Sequence, residues 1–337
     1  MKKSFVKIII PLIVMTLVTG GVFAASGSKV NVDIYGKDLK EGAAFIEDGV
    51  TYIALRDAFE SMGSTVKWDN ETQTVTVEDP ARISNYYDRE TYVNGAIWQL
   101  SAEARACFYQ AFSLAYIRLD EEIAKANTYS KPIAIIADID DTLVDGVMYT
   151  ADVLQGGPWV NDAFAESLKS TACMALPGAV DFMNYAKDNG VEVFYITNRS
   201  ADQFDITLKQ LEYLGFPNAK KEYLQVLEGT SNKDARRANV EATHEVVMLL
   251  GDNLGDFSSA FERKLGPVER RNLVDDERFV DLWGDKWIIL PNAVYGDFTG
   301  AVTYHQSGLT DVEKAQYIRE LFDYYKYTNT DRYKPYQ

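Results

Sequence analysis

Asp138 and Asp140 stand two residues apart in Asp138-Ile139-Asp140-Asp141-Thr142. Nothing adjacent neutralises them, so the pair calls for a cation. Polar clusters recur downstream at Thr197-Asn198-Arg199, Ser231-Asn232-Lys233 and Gly251-Asp252-Asn253-Leu254-Gly255-Asp256. A hydroxyl, an ammonium and a helix N-terminus together make an anion cradle. Oxygen-only ligands, with no His or Cys close by, select a hard cation such as Mg²⁺. A cation beside an anion cradle, with a carboxylate at the junction, is the equipment of phosphoryl transfer.

These clusters need scaffolding that delivers them to one place. The apolar run Ile133–Ala137 reads as a strand buried on both faces, ending at Asp138. Val191–Ile196 precedes Thr197, and Val246–Leu250 precedes Gly251. Trp287–Leu290 reads as a fourth strand, ending at Pro291-Asn292. Helical patterns lie between them. A long helix is predicted near Trp98 to Ala124, with Ala104, Phe108, Ala111, Ala115 and Leu119 on one face. Another runs from Pro177-Gly178-Ala179 to Asn189-Gly190. Ser200 to Gln203 is a capping box that opens a helix with Phe204, Leu208, Leu211 and Leu214 on one face, stopped by Gly215. Lys233 falls in the first turn of the next helix, and Thr310 to Glu313 cap a last helix through about Tyr325. Val144 to Trp159 reads as irregular. The alternation predicts an α/β fold: a Rossmann-like parallel sheet with helices on both faces, its polar clusters at the carboxyl edge where such sheets bind ligands.

The N-terminus reads as a signal peptide over residues 1–24. Lys2, Lys3 and Lys7 make a basic start, Ile8 to Val18 are apolar, and Val22-Phe23-Ala24 fits a cleavage site. The apolar run is short for spanning a bilayer, and no Cys follows it to carry a lipid. Residues 30–79 form a separate small α+β unit: Val30, Val32 and Ile34 alternate, a short helix from Arg56 ends at Gly63, and Thr65–Trp68 and Thr74–Val77 make a hairpin. Residues 80–92 read as a linker and 93–337 as the large domain. With 34 basic and 50 acidic residues the net charge is −16. Without the three leader lysines, 31 basic residues face 50 acidic ones, which gives −19. No basic stripe offsets this acidity, which argues against a nucleic acid duplex as partner. Cys107 and Cys173 are able to pair after export, but Cys107 also fits a buried free thiol.

Residues 30–79 resemble the copper amine oxidase N-terminal-like domain. The resembling residues are Gly49, Tyr52, Leu55-Arg56, Phe59-Glu60, Gly63, Val66, Trp68-Asp69 and Thr74–Val77. The segment lacks His and Cys, so no copper is expected. Two readings remain open for it: attachment to the cell envelope, or a stabilising appendage.

The large domain resembles the haloacid dehalogenase superfamily, whose four motifs fall on Asp138-x-Asp140-x-Thr142, Thr197, Lys233 and Gly251-Asp252-x-x-x-Asp256. Within it, the chain looks like the bacterial class C acid phosphatases. Further matching stretches are Ser101-Ala102-Glu103 with Gln110-Ala111, Pro177-Gly178-Ala179, Phe194–Arg199 and Leu290–Ala293. The resemblance implies Asp138 as nucleophile, Asp140 as general acid and base, and Thr197, Asn198 and Lys233 as phosphate ligands. It also implies Mg²⁺ held by Asp138, the Asp140 backbone carbonyl and Asp252, with Asp256 orienting water or Lys233. Two positions depart from that family, which usually carries Glu where Asp141 stands and Asn where Gly146 stands. Asp141 is therefore expected to be a bystander.

The expected activity is that of a secreted or cell-surface phosphomonoesterase of broad specificity, with small phosphomonoesters, nucleotides among them, as substrates. A narrower 5'-nucleotidase and a binding protein with a phosphatase fold are the alternatives. Tyr149, Trp159 and Tyr295 lie near strand ends, where they serve either to stack a nucleoside base or simply to pack. Only two His exist, His244 and His305, too few for histidine- or zinc-dependent phosphatases. His244 is expected at a helix end and His305 at the surface.

Overall fold

The structure is a computed structural model that describes residues 28–34, 37–61, 64–78, 86–154, 161–262, 264–309, 311–326 and 328. The leader at 1–24, Gly63, Trp159, Thr310 and the connection at 79–85 lie outside the described residues. The chain divides into two compact units, 1–80 and 81–337.

The small unit holds strands β1 (Ser28–Lys29), β2 (Asp33–Ile34), β3 (Lys37–Asp38), β4 (Ala44–Glu47) and β5 (Val50–Ile53), helix α1 (Leu55–Ser61), and strands β6 (Thr65–Asp69) and β7 (Thr74–Glu78). Val30, Val32 and Ile34 do not share one strand. β1 pairs with β4, whereas β2 folds back on β3, so the pairing partner changes between them. β6 and β7 form the predicted hairpin. It turns where the Asp69 carboxylate accepts the backbone N–H groups of Glu71 and Thr72 at 2.8 and 3.1 Å, a local side-chain turn typical of Asp.

The large unit opens with helices α2 (Tyr86–Gln99) and α3 (Ala102–Lys125). The single helix predicted from Trp98 is thus two. Ser101 is the break: its backbone is extended and its hydroxyl accepts the Ala104 N–H at 3.0 Å, a capping bond that starts α3 afresh. The buried face of α3 is Ala104, Phe108, Phe112, Ala115 and Leu119, so Phe112 takes the place assigned to Ala111. Cys107 lies off this face and is exposed, while Cys173 is buried; both are free thiols.

Five strands then build the sheet: β8 (Ile133–Ala137), β9 (Glu192–Ile196), β10 (Leu224–Gln225), β11 (Glu245–Gly251) and β12 (Trp287–Ile289). All pairings are parallel, in the order β10-β9-β8-β11-β12. β8 is therefore central, and all five of its residues are buried. Ile133, Ile135 and Ala137 join a core with Phe108, Phe112 and Phe182. Ala134 and Ile136 join a second core rich in aromatics, with Phe257, Phe261 and Trp287. The alternation is the period of two that a strand imposes.

Helices α4 (Val147–Leu154), α5 (Asn161–Ser167), α6 (Ala179–Asp188), α7 (Phe204–Leu214), α8 (Asp234–Glu241), α9 (Pro267–Val274), α10 (Asp297–Val302) and α11 (Asp311–Tyr325) complete the unit. α4 replaces part of the segment expected to be irregular. The Asp145 carboxylate accepts the Val147 N–H at 2.9 Å, and Val147, Thr150 and Val153 bury one face. The Ser200–Gln203 capping box is present. Lys233 is the N-cap residue of α8 rather than part of its first turn. Among the described residues, no helix is long and apolar enough to cross a membrane.

Candidate active site

The sheet delivers its acids as a unit. Asp138 extends β8 by one bond, its N–H donating to Leu250 O of β11 at 3.0 Å. The chain then coils, with the Leu143 and Val144 N–H groups both reaching Ile139 O at 2.9 Å. Asp141 sits in this coil at a left-handed φ of 54°. The coil turns the Thr142 hydroxyl onto Asp252 Oδ1 at 3.0 Å, with Asp138 Oδ2 at 3.4 Å.

Lys233 arrives from the start of α8. Its ammonium pairs with Asp138, donates to Ile196 O at 2.7 Å and pairs with Asp256 at 2.7 Å. Asp256 is held in turn by the Asn253 N–H at 3.0 Å. Asn292, just past β12, donates to Asp252 Oδ2 at 2.7 Å. One buried lysine thus meets the ends of three strands.

Asp138, Asp252 and Asp256 each offer a carboxylate oxygen within 4.8 Å of the others. Three acids against one ammonium leave an excess of negative charge in a site that water barely reaches. Burial first, then Asp256 and Asp140, push Asp138 up to about 7 despite Lys233. Burial first, then the charges of Asp256, Asp138 and Asp141, raise Asp252 well above the usual carboxylate range. Lys233 is held above its ordinary value, because Asp138 and Asp256 outweigh its own burial. An all-oxygen donor set with uncompensated charge fits a hard divalent cation. The oxygens of all three also bond within the protein: Asp138 with Lys233 and Thr142, Asp252 with Thr142 and Asn292, and Asp256 with Lys233 and Asn253.

Asp140 points elsewhere. Arg199 grips it with Nε on Oδ2 at 3.0 Å and Nη2 on Oδ1 at 2.7 Å. Arg199 also donates to Thr207 at 3.2 Å and lies over the Phe164 ring at 5.9 Å. Its side chain is 1% exposed and that of Asp140 20%. The Asp140 carboxylate is therefore not in the three-acid cluster, leaving only its backbone carbonyl for that side.

Thr197 is buried, and its hydroxyl accepts the Arg199 N–H at 3.2 Å. Arg236 donates to Thr197 O and to Asn198 Oδ1, both at 2.6 Å. With its oxygen occupied, Asn198 has its amide N–H groups to offer as donors. Thr197, Asn198 and Arg199 line a cavity of about 640 Å³ together with Asp138, Asp140, Lys233, Tyr149, Tyr295 and Phe164. Tyr149 meets Phe164 edge-on, with ring centroids 5.3 Å apart. The Tyr295 hydroxyl is committed to the Asp141 carboxylate. His305 also lines the cavity instead of the outer surface. Gly300 leaves room for it, since a Cβ there would come within 2.7 Å of its Nδ1. His244 follows the end of α8, as expected, and packs edge-on to Phe194.

Asp141 is no bystander. It is 1% exposed, and its Oδ1 accepts the Gly146 N–H at 3.0 Å and Gln99 Nε2 at 3.3 Å. Arg199, Asn292 and Arg236 also carry structure for which the motifs predict no role. The signal was present for the first two: Arg199 follows β9 beside Asn198, and Asn292 closes the predicted fourth strand's end at Pro291-Asn292.

Known proteins share this fold. Two solved structures of the class C acid phosphatase from Bacillus anthracis, one of them with tungstate bound, are 31% and 30% identical to this chain. Each match covers 74% of this chain and 99% of the other, with TM-scores of 0.62 and 0.63. The profile of the HAD (haloacid dehalogenase) superfamily, subfamily IIIB (acid phosphatase), matches residues 57–298. With that match over most of its length and the acids, lysine and threonine gathered at one sheet edge, the chain belongs to the subfamily IIIB acid phosphatases of the HAD superfamily.

Proposed function

We propose that this chain is an exported, Mg²⁺-dependent phosphomonoesterase of broad specificity that works through a phosphorylated Asp138. The observation that carries this reading is the buried contact of Asp138 with Lys233, beside Asp252 and with Asp140 held separately by Arg199.

The Asp138 carboxylate attacks phosphorus and the bond to the leaving oxygen breaks. Asp140 gives its proton to that oxygen, so the alcohol leaves neutral. Water then attacks the phosphorus of the aspartyl-phosphate and passes a proton to Asp140, while the phosphorus–oxygen bond to Asp138 breaks and inorganic phosphate leaves. Lys233 and the amide of Asn198 hold the transferred oxygens while charge moves across them. Asp138, the Asp140 carbonyl and Asp252 would hold Mg²⁺, which when bound would supply the positive charge that lets an anionic nucleophile approach an anion.

Broad specificity is supported by the cavity. Only 35 residues separate Thr197 from Lys233, too few for a large folded cap. The Tyr149–Phe164 pair favours a second, narrower reading in which a nucleoside base stacks at the rim. The basic, then apolar leader supports export. The small unit is proposed as an attachment or spacer module.

Purified protein should hydrolyse p-nitrophenyl phosphate and lose that activity on adding EDTA or on Asp138→Asn. Activity that survives both would overturn the mechanism. A panel of nucleotides and sugar phosphates separates the two specificities: similar kcat/KM values support the broad one, and a hundredfold preference for nucleotides the narrow one.

A further inference from the structure

We propose that Asp141 is a positioning residue, whose carboxylate ties three separate elements to the coil that presents Asp138 and Asp140. This rests on the reading of those two acids given above. The side chain of Asp141 collects the Gln99 amide from α2, the Gly146 N–H from the start of α4 and the Tyr295 hydroxyl from the loop after β12. Among the described residues, none of these partners is a cation. A buried carboxylate without a cation is costly, so three converging donors mark a built arrangement rather than a filler.

The backbone supports this. Asp141 adopts φ 54° without being glycine. Such conformations persist where the surroundings over-determine them. The flanking peptides are the ones that matter: Asp140 carries the proton in the proposed mechanism, and Thr142 bonds to Asp252. Rotating Asp141 would therefore move Asp140 on one side and Thr142, with Asp252, on the other.

Gly146 is part of the same device. A Cβ there would come within 2.8 Å of Asp141 Oδ2 and 3.2 Å of Oδ1. Asp141 and Gly146 are thus in direct contact. The short acid at 141 and the missing side chain at 146 fit one another.

Gln99 is set by its own helix. Gly95, one turn earlier, lets α2 lie directly on the Ala293–Val294 backbone, where a Cβ would come within 2.0 Å of Ala293 O. The loop that α2 touches is the one that supplies Tyr295.

The test uses the full chain with Asp141→Ala, Asp141→Asn and Gln99→Leu. The readouts are calorimetric Mg²⁺ affinity, thermal melting, and kcat and KM on p-nitrophenyl phosphate. Loss of an outer partner of a metal site commonly costs about 10–100-fold in affinity or activity. Asp141→Ala should weaken Mg²⁺ binding and lower kcat by about that factor, with KM within about threefold. Asp141→Asn keeps Oδ1 as acceptor and should stay within about threefold of the parent on both. Gln99→Leu should melt cooperatively and weaken Mg²⁺ binding by about threefold to tenfold, which keeps the test open if Asp141→Ala does not fold. Parental Mg²⁺ affinity and kcat in a folded Asp141→Ala or in Gln99→Leu would overturn the proposal. So would an Asp141→Asn protein as impaired as the alanine variant. An active Asp138→Asn protein would instead overturn the mechanism on which it rests, and is read separately.

Discussion

Arg199 holds both carboxylate oxygens of Asp140, Nε on Oδ2 at 3.0 Å and Nη2 on Oδ1 at 2.7 Å. Two parallel bonds fix the plane of the carboxylate as well as its position. A lysine is a point charge on a flexible stem and cannot reproduce that. The burial of Arg199 also rules out an ordinary surface pair.

Arg199→Met should lower kcat by about a hundredfold on substrates whose leaving group needs a proton, because misplacing a reacting group by about 1 Å costs that much. Arg199→Lys should recover only part of the loss. Steady-state kinetics with a poor leaving group, such as an alkyl phosphate, beside p-nitrophenyl phosphate make the check. An equal loss on both substrates would count against proton transfer as the affected step.

Asp138, raised to about 7 from an ordinary 3.8, links metal to pH. An acid with a raised pKa binds its proton better folded than unfolded. The metal-free protein therefore keeps this contribution to stability below about 4 and loses it as pH climbs through about 7. A cation replaces that proton, so binding should release protons and strengthen with pH. The rise in melting temperature on adding Mg²⁺ to EDTA-treated protein should be larger at pH 8 than at pH 5. Equal shifts at both pH values would contradict it.

Lys233 pairs with two buried acids at once. Removing one partner of a buried pair typically costs about 3–5 kcal/mol, because the remaining charge is stranded. Lys233→Met should lose stability of that order at pH 8 and less at pH 5, where Asp138 can take a proton instead. Urea denaturation at the two pH values decides this. A loss that does not depend on pH would point to packing rather than charge.

Much of the site was legible because each motif follows an apolar run. The runs predict strands, parallel strands end on one edge, and the polar residues after Ala137, Ile196 and Leu250 therefore meet. The Arg199–Asp140 grip was not legible, since it depends on β9 lying next to β8 and on two side-chain rotamers. β10 is two residues long and carries no periodic signal. α2 was missed for a sharper reason: its pattern is inverted. Val93, Ile97 and Leu100 at its end are exposed, while Gly95, Ala96 and Gln99 are buried. Over residues 93–100 the fully buried positions are small or polar, with Trp98 half-buried against the core, because this end packs backbone to backbone and feeds an amide to Asp141. A hydrophobicity pattern cannot show that.

Gly251 closes the chemistry at the end of β11. A Cβ there would come within 2.4 Å of Asp256 Cβ and 2.6 Å of its Oδ2. The strand cannot yield, because Gly251 O accepts the Leu290 N–H at 2.8 Å and the neighbouring Leu250 O accepts that of Asp138 at 3.0 Å. Asp256 must move, and with it the contacts to Lys233 and to the Asn253 N–H. Gly251→Ala should cost about 1–3 kcal/mol as an overpacking change and lower kcat/KM by at least about tenfold as the Lys233 ammonium shifts. Gly308→Ala is the control. Gly308 has φ 77° and open space within 4 Å of its Cβ position, so it should lose about 1 kcal/mol of backbone strain energy and keep kcat/KM. Melting curves and kinetics on the two variants separate local strain from damage to the site. Parental kcat/KM in Gly251→Ala would show that the Asp256–Lys233 pair tolerates displacement, and would remove Asp256 from the catalytic arrangement.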